Sequence, residues 1–329
     1  MRSPRLPLHL ALTLLLVVLL IASLWVGEVA IPASEMWHLL RGEGSPLFAT
    51  IVWEIRLPRT LIAATVGASL GVCGAAVQGL LRNPLASPDL TGATGGGALG
   101  AVVMIYFGAA SLLGVALGGM LGALAATTLV YRLAGSDGSG LTLILAGVAV
   151  GSFSVALISL LLNLAPNPYA VQEIIIWMLG SVSNLGWAEL YLLLPLSLLA
   201  WLLLVTSGRG LDALTLGPET AHTLGFQVAA LHRRIFLANA LAVGSAVSIT
   251  GAIGFVGLVI PHLLRPLVGW MPGRLLLPSA LGGASLVLLA DLVTRLLVVG
   301  NELKIGVVTS LIGAPFFLYL ILRTRRRTL

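Results

Sequence analysis

The residues that could do chemistry are few in this chain and lie far apart in its sequence. Only 9% of its 329 residues are charged, and its 5 histidines have neither a His-x-x-x-His spacing nor a cysteine beside them. Zinc sites need several such ligands close together, so no metal site is predicted. The single cysteine, Cys73, lies in an apolar run and predicts no disulfide. The histidines are His9, His38, His222, His232 and His262.

A glycine-rich stretch from Thr91 to Gly100 has the composition of a phosphate-binding loop but lacks its chemistry. A Walker A loop continues from its last glycine with Lys and then Ser or Thr, whereas Ala101 follows here and the only lysine is Lys304. Catalysis inside a membrane needs paired acids, or Ser with His or Lys, and the mid-chain apolar segments contain no acidic pair. We therefore expect no enzyme activity, no catalytic residue and no cofactor bound by this chain.

Two small groups of ionisable residues lie at or within apolar segments, where charge usually has a function. Asp291 and Arg295 are four positions apart, so they can pair on one helix face. A structural ion pair and a functional role both fit this spacing. Arg56 and Arg59 flank Pro58, which suits the first turn of a helix. Their position is either an incidental exception to the usual bias of basic residues toward the cytoplasm or a docking site for acidic groups.

A segment past the middle of the chain, 214–226, is amphipathic but too short to cross a bilayer. Thr215 or Thr220 could cap a short helix there, and Gly225 could end it. The segment is either an inert loop or a short surface helix that contacts a soluble partner.

The chain has too few charged residues to cover a water-facing surface. These residues must therefore be positioned by helices that lie in lipid. Hydrophobic residues make up 58% of the chain, whereas about 25% of the residues in soluble domains are charged. Spanning helices need about 20 apolar residues, and about ten such segments occur. We predict an all-α, polytopic transmembrane helical bundle that forms a single domain, residues 1–329. The predicted spans are 8–26, 58–81, 91–108, 111–132, 141–164, 187–206, 231–250, 253–268, 277–298 and 305–322.

Two of these spans, 8–26 and 253–268, allow a second interpretation. The first, 8–26, follows a basic flank, as a signal peptide would. Because it is long enough to cross and no small-x-small cleavage site ends it, we interpret it as an uncleaved first helix. The span 253–268 is short and contains Pro261, so it is also compatible with a broken helix whose free backbone groups are satisfied by neighbouring helices.

Basic residues give an independent test of orientation, because Lys and Arg accumulate on the cytoplasmic side. An even number of spans puts both termini on one side. With both termini cytoplasmic, 5 of the 18 basic residues lie outside and 13 inside. The net charge of +6 is thus explained by membrane orientation, and no nucleic-acid partner is expected. The long outer segments are then 27–57 and 165–186, and the long inner segment is 207–230. The five outer basic residues are Arg41, Arg56, Arg59, Arg295 and Lys304.

Glycines at helical spacing in three spans predict close helix packing. Lipid tails are as apolar as leucine, so helices in a bilayer associate through close backbone approach, which small residues allow. Such packing is also compatible with helices that tilt during a transport cycle. The glycines are Gly67, Gly71 and Gly74; Gly92, Gly96 and Gly100; and Gly114, Gly118 and Gly122.

Several long motifs follow one another from about Arg56 to Leu322. They are RLPRTL from Arg56, GASLG from Gly67, QGLLRNPLA from Gln78, LG at Leu216 and again at Leu224, GAIGFVGLVIPH from Gly251, IGVVT from Ile305 and GAP from Gly313. Together they resemble the FecCD-type permeases, the membrane subunits of ATP-binding-cassette (ABC) importers for iron-siderophores, haem and vitamin B12.

The resemblance implies ten helices per subunit and a multi-pass protein of the bacterial inner membrane. It also implies a homodimer of this chain with the substrate pathway at the dimer axis. Two cytoplasmic ATPase subunits would bind ATP and Mg²⁺ and hydrolyse the nucleotide. A periplasmic or lipid-anchored binding protein would deliver the substrate.

The resemblance also implies roles for individual residues. Arg56, Arg59 and Arg295 would dock acidic residues of the binding protein. Asn83, Leu85 and Thr142 would line the inner gate. The coupling helix seated on the ATPase would contain Leu216, Gly217, Pro218, Glu219, Ala221, Leu224 and Gly225.

We expect a ferric chelate, either a siderophore or haem, as substrate, because most of the family handles iron; vitamin B12 is the alternative. A secondary transporter driven by protons or sodium is a rival class, although such proteins often carry an acid at mid-membrane, and here Asp291 lies near the end of a span. A membrane scaffold without transport activity is the other rival.

Overall fold

The computed structural model is all-helical over the residues it describes, which are 5–108, 111–135, 140–297 and 303–328. A π-helical turn, Ile51–Arg56, leads into α4, and 3-10 turns lie at Pro88–Thr91 and Arg265–Val268. In chain order the α-helices are α1 (Arg5–Trp25), α2 (Ala33–Leu40), α3 (Pro46–Thr50), α4 (Leu57–Leu80), α5 (Ala93–Tyr106), α6 (Leu112–Ala134), α7 (Gly140–Asn163), α8 (Pro168–Met178), α9 (Trp187–Thr206), α10 (Gly208–Leu214), α11 (Pro218–Thr223), α12 (Val228–Thr250), α13 (Val256–Leu264), α14 (Pro272–Leu296) and α15 (Ile305–Thr328).

Over the described residues, nine of the ten predicted spans each overlap a single α-helix, and the tenth, 253–268, contains α13 and a 3-10 turn. Among the described residues, 6 helical segments are long and apolar enough to cross a membrane. Shorter apolar helical stretches, Ala93–Tyr106, Val256–Val268 and Ile305–Leu320, account for three more. α12 has 23 residues, among them Arg233 and Arg234. The all-helical membrane bundle is therefore confirmed, while ten crossings and cytoplasmic termini stay predictions. The six segments are Pro7–Trp25, Pro46–Leu80, Leu112–Ala134, Gly140–Asn163, Trp187–Thr206 and Pro272–Leu296.

The centre of the bundle is α4, and α1 lies at its periphery. In the most apolar part of the segment that contains α4, 89% of the residues are buried, against 6% for α1. Of the 21 residues of α1, 15 are Leu, Val, Ile or Ala, which lipid solvates as well as a protein core does. A helix with so little protein contact needs other anchors, and these are at its C-terminal end.

Glycines let α4 approach α14 at backbone distance. A Cβ added at Gly71 would lie 2.0 Å from the carbonyl oxygen of Ser279, and one at Gly67 would lie 2.3 Å from that of Gly283. The same arrangement joins α5 to α6, where a Cβ at Gly100 would lie 2.1 Å from the carbonyl oxygen of Gly118. The close packing predicted for these spans is confirmed at Gly67, Gly71, Gly74, Gly96, Gly100, Gly118 and Gly122.

The span predicted at 253–268 is broken. α13 has 9 residues, about 14 Å at 1.5 Å per residue, which is half of a bilayer core about 30 Å thick. Residues 251–254 before it are non-helical and Phe255 has a φ of +66°. The loop that follows α8 packs against this stretch: a Cβ added at Gly180 would lie 2.3 Å from the carbonyl oxygen of Ala252. The broken helix, which was the second reading of the sequence, is confirmed, and satisfaction of its free backbone groups by neighbouring helices stays a prediction.

Candidate functional site

A buried carboxylate organises the arginines at one end of the bundle. Asp291 on α14 is fully buried, and Arg59 in the first turn of α4 donates to its Oδ1 from Nε at 3.0 Å and from Nη2 at 2.8 Å. Arg295 donates to Oδ2 of the same carboxylate. The i, i+4 pair of Asp291 and Arg295 is confirmed, and the structure adds Arg59 to it. The resulting triad joins α4 to α14.

Two of the arginines also hold the end of α1. Arg56 is buried, and its Nη1 donates to the carbonyl oxygens of Leu24 at 3.0 Å and Trp25 at 2.7 Å. Arg295 Nη1 donates to the carbonyl oxygen of Ser23 at 2.8 Å. The last carbonyls of a helix lack intrahelical partners and carry partial negative charge. The guanidinium groups therefore cap α1 and attach it to the bundle.

The arginine cluster, which we define as Arg56, Arg59, Arg295 and Asp291, borders a cavity of about 460 Å³. The side chain of Arg59 is 13% exposed and that of Arg295 is 5% exposed. The structure thus brings the three predicted docking arginines together, and each already has acceptors within the chain. Docking of acidic groups stays a prediction, and Arg59 is the member most open to them. The cavity is lined by Gly27, Glu28, Val29, Ile51, Ile55, Arg56, Arg59, Asn184 and Arg295.

The predicted coupling segment, which is the long segment 207–230, contains a short helix, α11. Pro218 occupies its first turn, after Gly217 with a φ of +104°. Its C-terminal end is closed by hydrogen bonds from the Gly225 N–H to the carbonyl of His222 at 2.9 Å and from the Phe226 N–H to that of Ala221 at 3.0 Å, the pattern of a Schellman motif. Gly225 therefore ends the helix as predicted.

The side chains in and around α11 comprise one buried residue and an exposed face. Ala221 is fully buried, whereas Leu216, Glu219 and Leu224 are exposed. The predicted threonine cap is wrong. The residue before the helix is Gly217. Glycine has no side-chain oxygen, so a capping rule based on side-chain oxygens does not select it. Thr215 instead donates its hydroxyl to the carbonyl of Asp212 at 2.7 Å.

The coupling segment lies at the end of α4 opposite the arginine cluster. A Cβ added at Gly79, near the C-terminus of α4, would lie 3.3 Å from the side chain of Leu211 on α10. The Asp212 carboxylate accepts a hydrogen bond from the Gly273 N–H at 2.7 Å, which joins α10 to the start of α14. Since α4 has 24 residues at 1.5 Å each, its two ends are about 36 Å apart.

The predicted gate residues lie at this same end. Asn83 follows α4, and its N–H donates to the carbonyl of Gln78 at 3.1 Å. Its Oδ1 accepts from the Leu85 N–H at 2.9 Å. α7 begins beside this turn, since a Cβ added at Gly140 would lie 3.4 Å from the carbonyl oxygen of Leu81. The structure thus places the start of α7, which contains Thr142, next to the segment that contains Asn83 and Leu85.

Two buried polar contacts near these residues were missed by the sequence analysis. Gln78 is fully buried; it accepts a hydrogen bond from Arg265 and donates to the carbonyl of Leu258 at 3.3 Å. Asn239 on α12 is also fully buried and donates to the carbonyl of Pro88 at 3.2 Å. The available signal was an amide side chain within an apolar segment, where polar residues usually have partners.

Known proteins with similar sequences are transport permeases. The model of the FecCD transport family matches residues 15–323. The chain is 40% identical over 320 residues to the vitamin B12 import system permease protein BtuC of Klebsiella pneumoniae, covering 96% of this chain and 93% of that protein. It is 37% identical over 333 residues to the hemin transport system permease protein HmuU of Yersinia pestis, covering 99% and 98%.

A solved structure has the same fold over nearly the whole chain. It is a metal-chelate type ABC transporter in an inward-facing conformation, with a TM-score of 0.87 and 35% identity, and the match covers 96% of this chain and 98% of that one. The family model and the relatives extend across α1 to α15, which include the arginine cluster, the coupling segment and the 81–92 region. The chain belongs to the FecCD transport family and is the permease subunit of an ABC importer.

Proposed function

We propose that two copies of this chain form a pathway through which a ferric chelate, a siderophore or haem, passes into the bacterial cytoplasm. A binding protein delivers the chelate at the arginine cluster, and an ATPase acts on α11. The observation that carries this proposal is the placement of the two sites. They lie at opposite ends of α4, a helix about 36 Å long by the helical rise, and the 81–92 segment lies at the same end as α11.

The chain contributes movement rather than chemistry to this cycle. ATP binding would close the ATPase pair, displace α11 and tilt the packed helices between outward and inward openings. A ligand or partner shifts such an equilibrium only through its different affinity for the two states. Glycine contacts such as that of Gly71 with Ser279 support two alternative packings, since they place smooth backbone surfaces against each other.

The substrate class is supported by what the relatives carry. Relatives of similar identity are permeases for hemin and for vitamin B12, and the solved structure is of metal-chelate type. All of these substrates are large metal chelates. We assign a ferric chelate to this chain and retain vitamin B12 as the alternative.

Uptake by the complete transporter in proteoliposomes tests the proposal. Radiolabelled ferric siderophore, hemin and cobalamin would each be supplied with the binding protein outside and ATP inside. We expect ATP-dependent accumulation of one ferric chelate. Accumulation of cobalamin alone would select the alternative substrate, and uptake driven by a proton or sodium gradient without ATP would contradict the importer mechanism.

A further inference from the structure

One side chain of α12 connects the coupling segment to the predicted gate. α12 begins at Val228, shortly after α11, and Asn239 lies three turns farther along it. Asn239 is fully buried, and its Nδ2 donates to the carbonyl oxygen of Pro88 at 3.2 Å and to Oγ1 of Thr91. Both partners belong to the 81–92 segment, which also contains Asn83 and Leu85.

The direction of these hydrogen bonds is fixed by the neighbouring threonine. Thr91 donates its hydroxyl proton to the carbonyl oxygen of Pro88 at 2.8 Å, so both groups that face Asn239 act as acceptors. Asn239 must therefore present its amide N–H₂ to them. Its Oδ1 is buried and has no hydrogen-bond partner in the described part of the chain. An unsatisfied buried acceptor costs stability, so optimal stability does not explain an asparagine at this position.

The 81–92 segment is tightly packed on its other sides. A Cβ added at Gly257 on α13 would lie 2.7 Å from Cδ of Pro88, and one added at Gly147 on α7 would lie 1.9 Å from the carbonyl oxygen of Leu90. Close-packed contacts of this kind transmit displacement rather than absorb it. A shift of α12 that reaches the segment through Asn239 would therefore move it against α7, the helix that contains Thr142.

We propose that Asn239 is a positioning residue that transmits the displacement of α11 to the inner gate. The inference rests on the proposed coupling and gate roles. α12 acts as a rigid lever about 16 Å long from its first residue to Asn239, and the two amide hydrogen bonds attach the 81–92 segment to that lever.

Accessibility of a cysteine at the gate tests this inference. The reporter is Leu85→Cys in a Cys73→Ala background, which removes the only native cysteine. Inverted membrane vesicles that contain the complete transporter with its ATPase are treated with a membrane-impermeant maleimide. The labelling rate is compared between the nucleotide-free state and the state trapped with ATP and vanadate. ATP hydrolysis is measured in the same vesicles.

In the reporter parent we expect the labelling rate to differ between the two states. Asn239→Leu keeps a similar volume but removes both hydrogen bonds, and Asn239→Asp keeps the shape but replaces the donating N–H₂ with an oxygen, which cannot donate to the carbonyl oxygen of Pro88. Either substitution should bring the ratio of rates toward one while ATP hydrolysis persists. The ratio lost should be about 5- to 150-fold, which is the usual size of a coupling between two sites. Asn239→Asp maintains the test if the leucine variant does not assemble.

Ser245→Ala is the matched control, because Ser245 is buried on the same helix and its hydroxyl donates within the helix to the carbonyl of Leu241 at 2.7 Å. This variant should retain the parent ratio. A purely structural role for Asn239 would lower the amount of complex and leave the ratio unchanged in what remains, which would overturn the inference. A ratio of one in the parent itself would contradict the proposed coupling and gate roles, and the inference with them.

Discussion

At the scale of single residues, Asp291 determines what the arginines of the cluster can do. Its carboxylate is fully buried and accepts hydrogen bonds from Arg59 and Arg295. Arg56 and Arg295 also bind carbonyl oxygens of α1. A docking partner that presents a carboxylate therefore meets arginines that are already engaged, and it competes with Asp291 for Arg59.

Asp291→Ala should destabilise the protein strongly, because it leaves two largely buried guanidinium groups without their counter-charge. Breaking a buried ion pair by removing one partner costs about 3–5 kcal/mol. Thermal unfolding in detergent would measure the loss. Glu43→Ala is the control, since Glu43 forms an exposed pair with His38 at 3.7 Å and such pairs contribute about 0–1 kcal/mol. Equal effects of the two substitutions would contradict the structural role of Asp291.

Arg59→Glu should slow association with the binding protein, because complementary charge acts mainly on the association rate. The difference from the parent should shrink as salt is raised, since exposed charges are screened at distances of about 8–10 Å. Surface plasmon resonance on nanodiscs would record both effects. Arg41→Glu is the control: Arg41 is exposed and stacks on Trp37 at 4.8 Å. An unchanged association rate for Arg59→Glu would remove Arg59 from the docking site.

Contacts between residues close in sequence were predictable, and those between distant residues were not. Asp291 and Arg295 were paired from their spacing, since i and i+4 share a helix face. Arg59 is 232 positions from Asp291, and hydropathy carries no information about which helices become neighbours. Asn239 escaped notice for the same reason, because its partners Pro88 and Thr91 lie in a distant connection.

At the scale of helices, hydropathy located the spans because bilayer thickness imposes their length. It failed at α13, where residues 251–254 leave the helical conformation. Another part of the chain packs against them, since a Cβ added at Gly180 would lie 2.3 Å from the carbonyl oxygen of Ala252. Hydropathy is the same whether the backbone hydrogen bonds of an apolar segment form within a helix or with other parts of the chain. The only sign of the break in the sequence was therefore a short span that contains Pro261.

Gly71→Val should disrupt the packing of α4 on α14, because the added Cβ would lie 2.0 Å from the carbonyl oxygen of Ser279. Overpacking of this kind typically costs about 1–3 kcal/mol, and here the obstacle is backbone, which moves less readily than a side chain. Size-exclusion yield and thermal unfolding would report it. Gly151→Ala is the control, since a Cβ there meets nothing within 4 Å. Retention of full stability by Gly71→Val would refute this packing.

Glu219→Arg should reduce retention of the ATPase during purification, because it reverses the charge on the exposed face of α11. The permease itself should stay folded, since Glu219 is exposed. Quantitative co-purification would measure the effect. Glu173→Arg is the control, because Glu173 is an exposed acid on α8, a different surface helix. If both variants keep the ATPase equally well, α11 is not the coupling helix.

At the scale of the whole molecule, α4 joins the two predicted ends of the transport cycle. Its first turn contains Arg59, its last residues contact α10, and the 81–92 segment follows it directly. Its most apolar stretch is largely buried, so a tilt of α4 must also displace the helices packed on it. The fold thus connects the predicted docking site and the predicted gate through one central helix.

The capping of α1 by Arg295 has a consequence for biosynthesis. Ser23 and Arg295 are 272 residues apart, and ribosomes add about 5–20 residues per second. The first helix therefore enters the bilayer roughly 14–54 s before its clamp is synthesised. During that interval it must persist in lipid without its final attachment, which its mostly aliphatic sequence allows. Assembly then ends with the capture of the earliest helix by one of the last to emerge.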